Sequence, residues 1–283
     1  MNFSQNSSDS TSSLSGKKIA VIGVGKIGGT LVSSLLKNKV IPPSHLFGST
    51  RHSINHEKIS SQLGIKLFTH NSEMAKLADI VILAVKPQNM KQALSEIKNS
   101  ITTDQMIVTL AAATTTRFVE EILPDKIPVI RAMPNTPCLV NEGMTVLCPG
   151  KSASLHHLKM AKQIFSSVGI VEVLDNEDLM DAVTALSGSG PGYIYIMIES
   201  LAEGGVKAGL PRDLATTLAA QSMLGASKMV LETGEHPAKL KDSVTTPAGV
   251  TMDGIMELED GGIRVTLIKA IAKATEKAKE ISQ

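Results

Sequence analysis

Three glycines near the amino terminus carry the clearest chemistry that spacing alone can express. Gly23, Gly25 and Gly28 fill the first, third and sixth positions of Gly23-Val24-Gly25-Lys26-Ile27-Gly28. Ahead of them, Ile19-Ala20-Val21-Ile22 is a short apolar run that reads as a buried strand. After them, Ile27, Leu31, Leu35 and Leu36 recur at helical spacing. In such a strand–turn–helix the first glycine makes the turn, the second lets a pyrophosphate approach the backbone, and the third lets the helix pack on the strand. The anion then meets free N–H groups and the positive end of the helix dipole. That is dinucleotide binding; without a ligand the same residues form an ordinary strand–turn–helix corner.

The next strand suggests which dinucleotide. Leu46-Phe47-Gly48 runs into Ser49-Thr50-Arg51. The NAD pattern places a carboxylate here, about 20 residues past the glycines, to hold the ribose 2′-hydroxyl. Two hydroxyls and a guanidinium stand here instead. A carboxylate repels a 2′-phosphate, whereas Arg51 binds one through charge-assisted hydrogen bonds. NADPH is favoured as the cofactor, with NADH left open; a solvated loop arginine is the bland alternative.

A second stretch with chemistry is Ser243 to Gly254. Thr246 reads as a helix N-cap and Pro247 as the first helical residue. The helix start then offers N–H groups from about Ala248 to Thr251, with the hydroxyls of Thr245, Thr246 and Thr251 nearby. Such a start can hold a carboxylate without an arginine. A well-capped helix with no ligand reads the same way.

Other chemistries leave no trace. No H-E-x-x-H, no G-x-S-x-G and no metal-spaced set of Asp, Glu and His occurs. No carboxylates are paired for acid–base work. An oxidoreductase built this way handles protons modestly, which suits a protonated C=N bond better than a ketone.

The elements that position these residues alternate between strand and helix. After the glycine loop come strands at Leu46–Gly48 and Ile65–Phe68, and a central strand at Asp79–Val85 that stops at Lys86-Pro87. Further strands fall at Met106–Leu110, Pro128–Arg131, Met144–Leu147 and Gly169–Leu174. Ligands lie beyond the carboxyl ends of such strands, which puts Val85, Lys86 and Pro87 at the cofactor edge. Asn135, between Pro134 and Pro137, either faces a ligand or shapes a turn. From Asp178 onward the pattern is helical throughout. The fold class is α/β: a Rossmann-type doubly wound domain over 17–177, then an all-α domain over 178–283. The helices carry more apolar surface than they can hide alone, which suggests a dimer interface.

Composition sets the outer limits. With 283 residues, 42% of them hydrophobic, the chain can build large cores. A net charge of +1, no Trp, two Tyr and five Phe give no electrostatic or stacking case for nucleic acid or an anionic membrane. Cys138 and Cys148 fit neither a zinc site nor a redox pair and read as buried small hydrophobes in a reducing compartment, the cytoplasm. Residues 1–16, rich in Ser and Asn, read as a disordered tail.

Taken together, the motifs resemble one family, the 1-pyrroline-5-carboxylate reductases. The resemblance spans about residues 17–281. It rests on the glycine loop, Ala84-Val85-Lys86-Pro87-Gln88, Arg131-Ala132-Met133-Pro134-Asn135-Thr136-Pro137, and Leu186-Ser187-Gly188-Ser189-Gly190-Pro191. Asp242-Ser243-Val244-Thr245-Thr246-Pro247 through Leu258-Glu259-Asp260-Gly261-Gly262 is its most specific block.

The resemblance implies reduction of 1-pyrroline-5-carboxylate to L-proline with NADPH or NADH. It implies cofactor contacts at Gly23, Val24, Gly25, Lys26, Ile27 and Gly28, at Ser49, Thr50 and Arg51, and at Asn71, Val85, Lys86, Pro87 and Ala112. It places the substrate carboxylate on Thr246 and the backbone of Val250 and Thr251, with the Thr251 hydroxyl reaching the ring nitrogen as the catalytic group. It also implies homodimers through the helical domain, often assembled as rings of five dimers. Two departures bear on loop geometry: Ala113 and Ala248 stand where the family has glycine. Two other readings fit the same plan. One is a β-hydroxyacid-type dehydrogenase, with Lys207 as its acid–base group; the other is a non-catalytic NADP sensor.

Overall fold

In the computed structural model the described residues are 13–50 and 56–282. Most of the short apolar runs become strands because they are buried along their whole length; Lys66–Phe68, at the sheet edge, buries only Phe68. Strand β1 is Ile19–Ile22, β2 Leu46–Ser49, β3 Lys66–Phe68, β4 Ile80–Leu83, β5 Met106–Thr109 and β6 Val129–Pro134. Between them lie α1 (Lys26–Lys37), α2 (His56–Leu63), α3 (Asn71–Ala75), α4 (Met90–Ile97) and α5 (Thr116–Ile122). Then follow β7 (Gly143–Pro149), α6 (Leu155–Phe165) and β8 (Gly169–Val173). The sheet runs in the order β3-β2-β1-β4-β5-β6-β7-β8. The four residues of β1 and of β4 are all buried, as expected for strands covered by helices on both faces.

The last two strands reverse the parallel pattern. β7 pairs antiparallel with β6, Ala132 opposite Leu147, and β8 pairs parallel with β7. The cause is the connection: only residues 135–142 join β6 to β7, too few for a crossover helix. α6 restores a parallel crossover between β7 and β8.

Two compact units divide the chain: residues up to Gly188 together with those from Thr275 on, and Ser189–Ala274. Of the expected disordered tail, residues 1–12 lie outside the described residues, but Ser13 to Gly16 make a turn. Leu14 is 2% exposed within the core cluster around Leu31 and Phe165, and Ser13 Oγ donates to Gln163 Oε1 at 2.8 Å. A single large apolar side chain is enough to fasten an otherwise polar segment.

The first unit is pinned at β6. Arg131, 2% exposed, donates to Glu177 Oε1 at 3.2 Å, and its Nη2 stands 4.0 Å from Asp181. Glu177 also accepts from the N–H and hydroxyl of Thr116, and Asp181 accepts from Ser282 Oγ. Cys138 and Cys148 are buried free thiols, and burial, with the Glu177 charge behind it, pushes Cys148 up to about 11. Beyond β8, α7 (Met180–Val183) runs directly into a π-helix over Thr184–Gly188. There, Asn135 Nδ2 donates to the Ser187 carbonyl at 3.1 Å, and Asn135 Oδ1 accepts from Met144 N–H at 2.9 Å. Asn135 therefore shapes the turn.

The second unit holds α8 (Gly190–Lys207), α9 (Arg212–Thr233), α10 (Pro237–Ser243) and α11 (Val250–Asp260); α12 (Ile263–Ser282) begins in it. α8 and α9 meet through small residues: a Cβ on Gly205 would lie 3.1 Å from the Cβ of Ala215. Its buried core consists of Ala202, Ala215 and Ala219. Larger apolar side chains stay outside, with Tyr195 62% exposed and Ile268 69% exposed. A cleft lined by Tyr193, Ile196, Met197, Leu201, Met223 and Leu258 lies within this unit. Apolar surface on this scale marks an association face.

Candidate functional site

Two of the three loop glycines are required by close backbone approach. Gly23 sits at φ 96°, where a Cβ would meet the Ala84 carbonyl at 2.9 Å. A Cβ on Gly28 would strike the Gly23 carbonyl and crowd Val21 and Ala84. Gly25 is different: a Cβ there meets nothing within 4 Å, so its outer face is open. The amides of Gly23 and Val24 are spent on the Ser49 carbonyl, at 3.1 and 2.9 Å, and that of Gly25 on the Gly23 carbonyl. The first bond from α1 back to the loop is Gly29 N–H to Gly25 O, at 2.8 Å. Lys26, Ile27 and Gly28 precede it, so their amides are the anion donors at this helix start. Val24 is 7% exposed and packs in the core, so it faces a ligand only with its backbone.

The carboxyl ends of the neighbouring strands complete the edge. A cleft there is lined by Gly23, Ser49, Asn71, Val85, Gln92 and Glu96, among others. Ser49 Oγ donates to Asn71 Oδ1 at 2.6 Å, Asn71 Nδ2 donates to Glu96 Oε2 at 2.6 Å, and Gln92 Nε2 donates to Glu96 Oε1 at 2.9 Å. Lys86 and Pro87 follow Val85 and are exposed. Ala112 belongs to a turn closed by Thr114 N–H to Ala111 O at 3.3 Å, with Ala113 at φ 61°. Arg51 lies outside the described residues. The open Gly25 face, the free first-turn amides and the hydroxyl-lined end of β2 suit a pyrophosphate and ribose. Among the described residues no group of His, Cys, Asp or Glu could hold a metal ion.

Sequence reasoning passed over Glu96 and Gln92. Their signal was present: Asn89, Gln92 and Glu96 recur along α4 and its lead-in at helical spacing, directly after the Lys86-Pro87 edge.

The second stretch differs from expectation. Thr246 is not the N-cap. α11 starts at Val250, with Gly249 as its cap residue. Thr246-Pro247-Ala248-Gly249 is a turn closed by Gly249 N–H to Thr246 O at 3.0 Å, with Ala248 at φ 57°. A left-handed residue cannot continue a helix, which delays its start by three positions. The Thr245 hydroxyl is committed backward, to the Lys241 carbonyl of α10. Met252 N–H bonds Gly249 O at 3.1 Å, leaving Val250 and Thr251 as the forward amides. Val250 is 88% exposed, and Thr246 and Thr251 are exposed as well.

Comparison with known proteins adds to this geometry. Residues 177–281 match the family model for pyrroline-5-carboxylate reductase dimerisation, and residues 18–113 match that of coenzyme F420-dependent NADP oxidoreductases. A pyrroline-5-carboxylate reductase of Methanosarcina acetivorans is 43% identical over 94% of this chain and 98% of its own. A solved pyrroline-5-carboxylate reductase from Coxiella burnetii superposes with a TM-score of 0.89 at 34% identity, covering 94% of this chain and 99% of its own. One from Plasmodium falciparum, solved with NADP bound, gives 0.83 at 31% identity, covering 94% and 98%. A glycine loop opening a doubly wound sheet, a helical unit with an apolar outer face, and identity sustained over nearly the whole length leave one assignment: the chain belongs to the pyrroline-5-carboxylate reductase family.

Proposed function

We propose that this protein reduces the C=N bond of 1-pyrroline-5-carboxylate to give L-proline, with NADPH as the preferred reductant and NADH as the alternative. The observation that carries the reading is the 43% identity to a named reductase across 94% of the chain. The pairing of a glycine loop with a second exposed helix start supports it.

When bound, the dinucleotide supplies a hydride for the ring carbon. The chain's own residues bind and orient. The amides of Lys26, Ile27 and Gly28 neutralise the pyrophosphate at the α1 dipole, with Gly23, Val24 and Gly25 shaping the loop around it. Ser49, Thr50 and Asn71 line the ribose end, and Arg51, next in sequence, is assigned to the 2′-phosphate by its chemistry alone. Val85, Lys86, Pro87 and Ala112 border the rest of the cofactor edge. On the substrate side, the amides of Val250 and Thr251 and the hydroxyl of Thr246 receive the carboxylate. The Thr251 hydroxyl holds the ring nitrogen and its proton. No strong acid is required, because a protonated imine is already an electrophile.

The protein is a homo-oligomer, as its dimerisation domain indicates. The finer arrangement we propose is a homodimer through α8, α9, α11 and α12, closed into rings of five dimers. We place it in the cytoplasm: Cys138 and Cys148 are buried and unpaired, which suits a reducing compartment. No helix among the described residues is long and apolar enough to cross a membrane.

The test is oxidation of NADPH by the purified protein on addition of pyrroline carboxylate, with proline measured as product. A protein that binds NADPH yet forms no proline would overturn the reading.

A further inference from the structure

A chain of hydrogen bonds crosses the ribose end of the cofactor cleft, and its direction is not free. Glu96 lies at the cleft mouth, and a carboxylate only accepts hydrogen bonds. Asn71 must therefore turn its Nδ2 toward Glu96 Oε2, at 2.6 Å. That leaves Asn71 Oδ1 facing Ser49, so the Ser49 hydroxyl must donate to it, at 2.6 Å. Gln92 Nε2 holds the other Glu96 oxygen at 2.9 Å and keeps the carboxylate in place. The reversed amide would set Asn71 Oδ1 against a carboxylate oxygen, two acceptors with no proton between them. Ser49 is 4% exposed, sits at the end of β2, and lines the same cleft as Asn71 and Glu96.

The end of β2 is where a dinucleotide fold reads the ribose 2′ position. With its proton committed inward, Ser49 presents only lone pairs there. Lone pairs suit a 2′-hydroxyl, which donates, and give nothing to a 2′-phosphate, which accepts. We infer that Glu96 is a positioning residue for cofactor choice. Acting through Asn71, it fixes the polarity of Ser49 so that the cleft keeps an acceptor for the ribose hydroxyl of NADH. It thereby opposes the 2′-phosphate preference that Arg51 supplies. The chain lacks the β2 acid of NAD enzymes, yet an acid five elements further on, in α4, acts on the same atom through two side chains.

This inference rests on the cofactor placement proposed above, and the test separates the two. Dissociation constants for NADPH and NADH are measured by quenching of nicotinamide fluorescence on wild type, Glu96→Gln, Ser49→Ala and Gly25→Val. Gly25→Val places branched carbon on the open face of the loop and should remove binding of both cofactors; unchanged binding there would sink the placement itself. In Glu96→Gln the new amide can donate to Asn71 Oδ1, the Asn71 amide can turn over, and Ser49 can offer its proton outward. The ratio of NADH to NADPH dissociation constants should rise about fivefold, the scale of one hydrogen bond. Ser49→Ala should weaken NADH about fivefold and leave NADPH nearly unchanged. An equal change for both cofactors in Glu96→Gln, no change, or a Ser49→Ala variant that loses NADPH more than NADH overturns the inference.

Discussion

Ala113 and Ala248 hold the same left-handed backbone conformation, φ 61° and 57°, at the third position of two hydrogen-bonded turns. One turn follows β5 on the cofactor edge; the other precedes α11. A Cβ in this region costs about 1 kcal/mol or more relative to glycine. Each loop therefore stores a small strain, held by the structure around it. Replacing either alanine by glycine should raise the unfolding free energy by about 1 kcal/mol, less what glycine adds to unfolded-chain entropy. Urea titration of Ala113→Gly and Ala248→Gly checks this, and a loss of stability in both would show that the turns relax in solution.

Thr251 carries the proposed contact to the ring nitrogen, and its exposure means that little packing depends on it. Thr251→Ala should lower kcat by about two orders of magnitude, the lower range for a positioned proton-handling group, with an unchanged melting temperature. Thr251→Ser keeps the hydroxyl and should recover most of the rate. Equal loss in both variants would point to shape rather than the hydroxyl.

Arg51 was assigned to the 2′-phosphate from sequence. Arg51→Ala should weaken NADPH by about 1–3 kcal/mol, the scale of a charged hydrogen bond, and leave NADH nearly untouched. Calorimetric titration with each cofactor measures it. Matching losses would contradict the assignment.

Asp79 joins β4 to the start of β1. Its carboxylate accepts from Lys18 N–H at 2.8 Å and from Lys17 Nζ at 3.1 Å. Burial pushes the carboxyl up, but the Lys18 amide and the two lysines together outweigh it and hold it below the ordinary value of 3.8. A depressed carboxyl contributes stability above its unfolded pKa and loses it as pH falls through the folded one. Asp79→Asn should thus be less stable than wild type at pH 7. The gap should close only below about pH 4, as wild-type Asp79 takes up its proton. A gap independent of pH would assign the effect to shape alone.

The parts legible in the sequence were those where one residue type answers one local demand. Gly23 and Gly28 are required by backbone approach, and β1 and β4 by continuous burial, so their places could be read directly. Thr246-Pro247 misled because a threonine before a proline signals equally a helix start and a turn. The left-handed alanine that decides between them carries no mark of its own. The reversal of β7 was hidden because strand periodicity does not encode direction; the eight-residue link was the clue. α10 was too short to show a period. Glu96 and Asn71 meet across 25 positions, and no local pattern announces such a pair.

The Arg131 cluster has a practical consequence for anyone wishing to cut this protein apart. Its guanidinium is sealed in β6, yet both acids that answer it come from the stretch leading out of the sheet, and one of them also takes the hydroxyl of Ser282. A fragment ending before Glu177 would entomb a cation without an anion, a defect worth about 3–5 kcal/mol. The nucleotide-binding half is thus no interchangeable cassette: a chimaera spliced at that seam must import an acid for Arg131 along with the foreign helices.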